Sequence, residues 1–192
     1  MKYFENIDLP LYPSMLSEMN AMLDAGIMAW HKPNQICLNT IPGKETDYLF
    51  GTGSRILDWE RAETKSDGNA ERIEIPLKAD IVAESDYTIL CDQFKGTIFE
   101  EMHGMLSQRY VLGRMRLMRS QPKTCLSWHS DGSKRLHYPL VTQEGCLMVI
   151  EDEVMHIPAG QWTMADTRFK HTAFNGSKET RIHLVVVILE HR

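Results

Sequence analysis

Long apolar runs, paired cysteines and clustered lysines are all missing from this sequence of 192 residues. The longest apolar stretch, residues 184–189, is far too short to cross a bilayer, and the first residues lack the apolar core of a secretory signal. The four cysteines form no C-x-x-C pair. Their spacing argues against a disulfide framework or a cysteine zinc site and predicts reduced, buried thiols.

A large excess of charge of one sign is also missing. The chain carries 21 Lys and Arg against 26 Asp and Glu, which gives a formal net charge of −5. Binding to duplex nucleic acid needs clustered cations that neutralise phosphates, and no such cluster is present. We therefore expect a cytoplasmic protein with no membrane partner and no duplex nucleic-acid partner.

The rest of the composition is ordinary, with 43% apolar and 24% charged residues. A chain of this length buries roughly 70% of its unfolded surface on folding, so its core needs neither a disulfide nor a metal to hold it. No repeat and no low-complexity segment divides the sequence. A single domain over residues 1–192 is predicted.

Helical spacing of apolar residues occurs twice in the first half of the chain. One pattern predicts a helix over residues 15–23, with Pro13 and Ser14 before it and Gly26 as its stop signal. A second pattern predicts a longer helix over residues 87–106, which Gly96 and Gly104 weaken without breaking. Between them, alternation over residues 72–77 predicts a strand, and polar residues 60–69 predict a surface loop.

Short alternating segments fill the second half. They lie at residues 114–119, 135–141, 145–150, 154–157, 161–165, 169–174 and 181–189. Asn175 and Gly176 form a strong turn signal between the last two. The pattern predicts a mainly β fold with flanking helices, specifically a double-stranded β-helix, the jelly-roll or cupin-like barrel. Residues 114–192 would form the barrel, and residues 1–113 would supply helical support and a pocket lid.

Four polar residues stand out in the strand-rich half: His129, Asp131, His171 and Arg181. In an extended segment His129 and Asp131 project to the same face. Two imidazoles and one carboxylate are the ligand set of the facial triad that holds Fe(II) and leaves other coordination positions open. Arg181 could clamp a carboxylate with two hydrogen bonds.

The sequence around these residues resembles the Fe(II)/2-oxoglutarate-dependent dioxygenases, in the branch with aspartyl/asparaginyl β-hydroxylases and cis-proline hydroxylases. The matching motifs are W-H-S-D at 128–131, R-L-H-Y-P-L at 135–140, G-x-W-x-x-x-D at 160–166, H-T-A-F-N at 171–175 and R-I-H-L at 181–184. The resemblance covers about 40% of the chain, from residue 114 to the C-terminus.

The resemblance implies a role for each residue. His129, Asp131 and His171 would bind iron, and Arg181 would bind the distal carboxylate of 2-oxoglutarate. Arg135 and His137 match a pair that contacts the co-substrate in aspartyl hydroxylases, although their spacing from His129 is about three residues shorter here.

The implied reaction uses Fe(II), 2-oxoglutarate and O2 to hydroxylate an amino-acid-like substrate, and it produces succinate and CO2. Vertebrate aspartyl hydroxylases lack the carboxylate ligand, and related halogenases lose it to make room for halide. The presence of Asp131 therefore favours hydroxylation over halogenation.

Two other functions remain open at this point. A cupin-like metal-dependent isomerase or hydrolase could use the same residues with Zn(II), although it would not need Arg181. A non-catalytic sensor with a vestigial site is the second alternative. The substrate could be a small molecule or a peptide side chain, so protein Asp, Asn or Pro and a free amino acid all stay possible.

Several neighbouring residues also receive predictions. Arg114, Arg116 and Arg119 could face an anionic substrate, but a solvated strand face is favoured. Trp128 and His183 are expected to be packing residues. Residues 34–40, with the loop at 49–54, are expected to bring a strand and a loop to the mouth of the pocket.

Overall fold

The structure is a computed structural model, and it describes residues 2–31, 34–53 and 82–192. The strand predicted over residues 72–77 and the loop predicted over residues 60–69 lie outside these ranges. Within them, no helix is both long and apolar enough to span a membrane.

Strands dominate the described chain, with a few short helices beside them. The α-helices are α1 (Met15–Asp24) and α2 (Ile98–Arg109), and single 3-10 turns cover Glu84–Asp86 and Asp92–Phe94. The first strands are β1 (Phe4–Asn6), β2 (Gln35–Cys37), β3 (Asn39–Thr40) and β4 (Ile89–Leu90). The later strands are β5 (Tyr110–Ser120), β6 (Thr124–Cys125), β7 (Lys134–Val141), β8 (Cys146–Ile150), β9 (Glu153–Met155), β10 (Thr163–Ala165), β11 (His171–Asn175) and β12 (Arg181–His191).

The first helix prediction is confirmed and the second is wrong in its first half. Helix α1 ends just before Gly26, whose φ of +68° suits glycine. The predicted long helix is broken at Gly96, which adopts a φ of +73°. A new helix, α2, starts after Thr97, whose side-chain oxygen accepts a hydrogen bond from the Phe99 amide at 3.2 Å. The helical spacing of apolar residues continues across Gly96 because the segments before and after this glycine pack on the same core.

Two sheets form the body of the fold. One has the strand order β1-β10-β7-β12-β5-β2, and the other has the order β6-β11-β8-β9. From β5 onward the chain moves between the sheets in the jelly-roll manner, with β5, β7, β10 and β12 in the first and β6, β8, β9 and β11 in the second. The predicted fold class is confirmed, but the sheets remain a sandwich and do not close into a barrel.

The larger core lies between the helices and the outer face of the six-stranded sheet. It includes Met15, Met19 and Met22 from α1, Phe99, Met102 and Leu106 from α2, and Leu136, Leu184 and Val186 from the sheet. Burial of these residues away from water holds the helices against the sheet. The smaller core includes Phe4, Ala165, Met148, Ile150 and Ala173, which come from both sheets and therefore mark the space between them.

Strand register shows which polar side chains enter this inter-sheet space. Phe4 pairs with Ala165, and Ala165 pairs with Arg135, so the three side chains share one face of the sheet. Two residues away, Thr163 pairs with His137 on that same face. Arg135 and His137 therefore point between the sheets, whereas Leu136 points to the helices.

Candidate metal centre

The two predicted histidine ligands face each other across paired backbone segments. His129 and His171 form an isolated antiparallel bridge, in which each amide donates to the other's carbonyl oxygen at 3.1 and 2.8 Å. This backbone pairing brings the two imidazole rings to a centroid separation of 4.2 Å. The His171 side chain is buried, whereas the His129 side chain is exposed.

Asp131 completes the cluster. Its amide donates to the carbonyl oxygen of Thr167 at 2.8 Å, which fixes the chain two residues beyond His129. One potential ligand atom from each of His129, Asp131 and His171 lies within 4.8 Å of the other two. The structure thus brings together the three residues that the sequence selected.

Backbone carbonyl groups set the direction of both rings. The Nδ1 atom of His129 lies 2.7 Å from the Ser127 carbonyl oxygen, and that of His171 lies 3.0 Å from the Phe169 carbonyl oxygen. A neutral ring that donates from Nδ1 keeps the lone pair on Nε2 for a metal ion. Two such imidazoles and a carboxylate fit a divalent transition metal such as Fe(II).

Electrostatics keep His171 and Asp131 in metal-binding protonation states. Burial lowers the pKa of His171, which favours the neutral ring that metal binding requires. Burial alone would raise the pKa of Asp131, but the charge and hydrogen bond of Arg135 outweigh it and lower that pKa. The carboxyl group is therefore ionised at neutral pH.

Arg135 lies between two acids. Its Nε donates to Asp131 Oδ2 at 3.1 Å, and its Nη2 lies 3.6 Å from Glu84 Oε1. Glu84 also accepts a hydrogen bond from Arg114 Nη2 at 3.2 Å. No local sequence pattern points to Glu84, because it is one acidic residue in a short 3-10 turn far from the metal-binding motifs.

Arg181 is buried, and among the described residues it forms no ion pair with a carboxylate. Its Nε and Nη2 atoms lie 2.9 Å from the two ring nitrogens of His183. Burial lowers the pKa of Arg181 to about 10, so the guanidinium stays charged at neutral pH. His183 is buried as predicted, but it contacts Arg181 in addition to packing.

His137 lies near this arginine with unused hydrogen-bonding groups. Burial, followed by the charge of Arg181, lowers the pKa of His137 to about 3. Neither ring nitrogen of His137 has a hydrogen-bond partner in the described part of the chain, and neither does the hydroxyl of Thr163 opposite it. Orphaned buried polar atoms of this kind call for a polar partner, and a carboxylate-bearing molecule would supply one.

Two predictions from the sequence are wrong. Arg114 and Arg116 do not line a solvated face, because only 4% and 7% of their surfaces are exposed. Carbonyl groups of Gly51 and Gly53 accept their hydrogen bonds, so the loop predicted to approach the pocket does reach these arginines. Trp128 is not a packing residue, since half of its surface is exposed.

The fold and the His129, Asp131 and His171 cluster match the class that the sequence motifs resemble, the Fe(II)/2-oxoglutarate oxygenases. A sequence model described as aspartyl/asparaginyl β-hydroxylase matches residues 43–191. The chain belongs to the aspartyl/asparaginyl β-hydroxylase family.

Sequence similarity to an individual protein extends over a shorter part of the chain. The chain is 32% identical over 77 residues to L-proline cis-4-hydroxylase from Rhizobium meliloti (strain 1021). That alignment covers 37% of this chain and 28% of the length of this curated relative.

Solved structures show weaker similarity. AviO1 from Streptomyces viridochromogenes Tue57 has a TM-score of 0.47 at 14% identity, over 98% of this chain and 90% of that one. An oxidoreductase of the 2OG-Fe(II) oxygenase family from Burkholderia pseudomallei has a TM-score of 0.37 at 16% identity, over 46% and 47%. The family assignment rests on the sequence match.

Proposed function

We propose that this protein is an Fe(II)- and 2-oxoglutarate-dependent oxygenase that hydroxylates a C–H bond of an amino-acid-like substrate. The observation that carries the proposal is the cluster of His129, Asp131 and His171, whose ligand atoms lie within 4.8 Å of one another. The three residues would hold iron at one face and leave room for the co-substrate and O2.

Arg181 is proposed to bind the distal carboxylate of 2-oxoglutarate. Its guanidinium is buried and charged and has no ion pair with a carboxylate among the described residues, so a bound carboxylate would compensate that charge. The orphaned nitrogens of His137 and the hydroxyl of Thr163 offer further polar contacts beside it. When iron is bound, its chemistry with O2 converts 2-oxoglutarate to succinate and CO2 and adds a hydroxyl group to the substrate.

A free amino acid is the substrate class that we favour. Arg114 and Arg116 add two buried guanidinium groups near the site, and Glu84 pairs with Arg114. Among the described residues of this region the guanidinium groups outnumber the carboxylates, and this excess of positive charge favours a substrate with a carboxylate of its own. The likeness to an L-proline hydroxylase over 77 residues supports the same class.

Succinate release is the direct test. Purified protein with Fe(II), 2-oxoglutarate and O2 is screened against free amino acids and against peptides that contain Asp, Asn or Pro. We expect succinate release to be stimulated by a free amino acid. The variant D131A should lose it, whereas D152A, which removes an exposed carboxylate in a turn, should keep it.

Protein that neither binds 2-oxoglutarate nor releases succinate under any of these conditions would refute the proposal. The variant R181A distinguishes the proposed oxygenase from the alternative Zn(II)-dependent enzyme. A Zn(II)-dependent isomerase or hydrolase has no use for a co-substrate arginine, so activity that needs the metal but survives R181A unchanged would favour that class.

A further inference from the structure

His183 lies two residues after Arg181 on β12, and among the described residues it is the only hydrogen-bond partner of that guanidinium. We propose that His183 is a positioning residue, a neutral partner that fixes Arg181 for the distal carboxylate of 2-oxoglutarate and leaves its positive charge uncompensated. The inference rests on the proposed function for the identity of the co-substrate.

Strand geometry brings the two side chains together. Residues two apart on a strand project to the same face of the sheet, so Arg181 and His183 share one face of β12. This strand lies between β5 and β7, so its backbone is held on both edges. Val185, the next residue on that face, pairs with His137, which points into the space between the sheets. Arg181 and His183 therefore lie on the wall of the same space.

The contact with His183 occupies one edge of the guanidinium. Arg181 Nε and Nη2 lie 2.9 Å from the Nε2 and Nδ1 atoms of the imidazole. In the described part of the chain, Nη1 has no hydrogen-bond partner. A carboxylate that accepts two parallel hydrogen bonds needs two neighbouring nitrogens, and the edge formed by Nη1 and Nη2 still offers them. By holding one edge, His183 fixes the direction of the other.

The imidazole satisfies only part of the guanidinium. A neutral imidazole has a single ring nitrogen that can accept a hydrogen bond, whereas an arginine side chain carries several N–H donors. Arg181 and His183 are both buried, with 7% and 3% of their surfaces exposed, so the remaining donors face the protein interior. Buried donors call for acceptors, and a carboxylate that enters this space would supply them.

The charge of the partner distinguishes Arg181 from two other buried arginines. Arg135 lies within 3.6 Å of two carboxylates, and Arg114 lies 3.2 Å from one. Arg181 contacts an imidazole instead. Burial, followed by the charge of Arg181, lowers the pKa of His183 well below its ordinary value, so the ring is neutral at neutral pH. A neutral partner orients the guanidinium and leaves its charge available to a bound anion.

The test measures ligand affinity on the full-length protein without turnover. Protein loaded with Mn(II) under argon is titrated by calorimetry with 2-oxoglutarate and with 2-oxopentanoate, which has the same chain length but no distal carboxylate. The variants H183Q and H183E carry side chains of the same shape that differ in charge, and H183L removes the polar partner. H191L is the matched control, because His191 is the exposed last residue of the same strand.

We expect H183L to weaken 2-oxoglutarate binding ~10-fold, because a hydrogen bond to a charged group typically contributes about that factor. H183Q should recover most of the loss, since its amide oxygen can accept from Arg181. H183E should bind 2-oxoglutarate ~10-fold more weakly than H183Q, because its carboxylate competes for the same charge. In all variants the affinity for 2-oxopentanoate should change little, and so should the affinity for Mn(II), followed by the paramagnetic resonance of the free ion. H191L should match the wild type.

Equal 2-oxoglutarate affinities in H183Q and H183E would overturn the inference. A loss in H183L that affects 2-oxopentanoate as strongly as 2-oxoglutarate would also overturn it, because that loss would come from a general disturbance of the pocket. If H183L does not fold, the comparison of H183Q with H183E still decides. These results leave the proposed function intact, whereas wild-type protein that binds Mn(II) but not 2-oxoglutarate would refute the proposed function itself.

Discussion

His137 gives the chain a specific dependence of stability on pH. Its imidazole is buried, and burial together with the nearby charge of Arg181 lowers its pKa from 6.5 to about 3 in the folded protein. In the unfolded chain the ring takes up a proton at its ordinary pKa. Below that value the unfolded state binds more protons than the folded state, so stability is lost as the pH falls through 6.5 and on toward the folded-state pKa.

The size of the effect follows from the two pKa values. Between about pH 7.5 and about pH 5.5, protonation of one unfolded histidine removes about 1.4 kcal/mol from the free energy of unfolding. Any folded-state pKa below about 4.5 gives nearly the same loss over this range. The neutral variant H137Q has no such contribution, so its free energy of unfolding should fall by about 1.4 kcal/mol less than that of the wild type.

Urea unfolding of metal-free protein, followed by tryptophan fluorescence at both pH values, measures this difference. Other titrating groups contribute equally to the two proteins and cancel in the comparison. The variant H191Q replaces an exposed histidine and keeps His137, so it serves as the control. Equal pH dependence in wild type and H137Q would show that His137 accepts a proton in the folded state and would refute the reasoning.

Three further predictions concern packing and thiol chemistry. G113A should lower stability by ~1–3 kcal/mol in thermal or urea unfolding, because its new methyl group would lie 2.8 Å from Val187 Cγ1; unchanged stability would contradict the close contact. W162A should cost ~3–5 kcal/mol, since Trp162 is 1% exposed and donates a hydrogen bond to Pro10; a loss below about 1 kcal/mol would contradict that burial. In native protein a thiol reagent should modify Cys125 in a fast first phase, because the other three cysteines are buried. The variant C125S should lack this fast phase, and a fast phase that persists in C125S would refute the prediction.

The sequence predicted the later strands well because the pattern of polar and apolar residues along a strand depends on what its two faces contact. Alternation along β5, β7 and β12 reflects a sheet with helices on one face and the second sheet on the other, and this pattern is local. The prediction of one long helix failed because its residue pattern does not show where the chain turns. Apolar spacing was continuous across Gly96, and only the backbone conformation at that glycine shows that the chain turns there.

The candidate metal centre was also predictable, since its three proposed ligands lie in short motifs with their own chemistry. His129 and Asp131 are two residues apart, and His171 lies on a later strand, so residue type and chain order were sufficient to select them. Their convergence depends on the backbone pairing of His129 with His171, which joins segments about 40 residues apart.

Tertiary structure alone decided how the charged side chains are paired. Arg135 and Arg181 look equivalent in the sequence, yet folding places one between two carboxylates and leaves the other beside a neutral imidazole. Glu84 enters the site from the N-terminal half by contacts that no local pattern records. Residue type fixes what a side chain can bind, whereas the distance and burial of its neighbours, which depend on the whole fold, fix what it does bind.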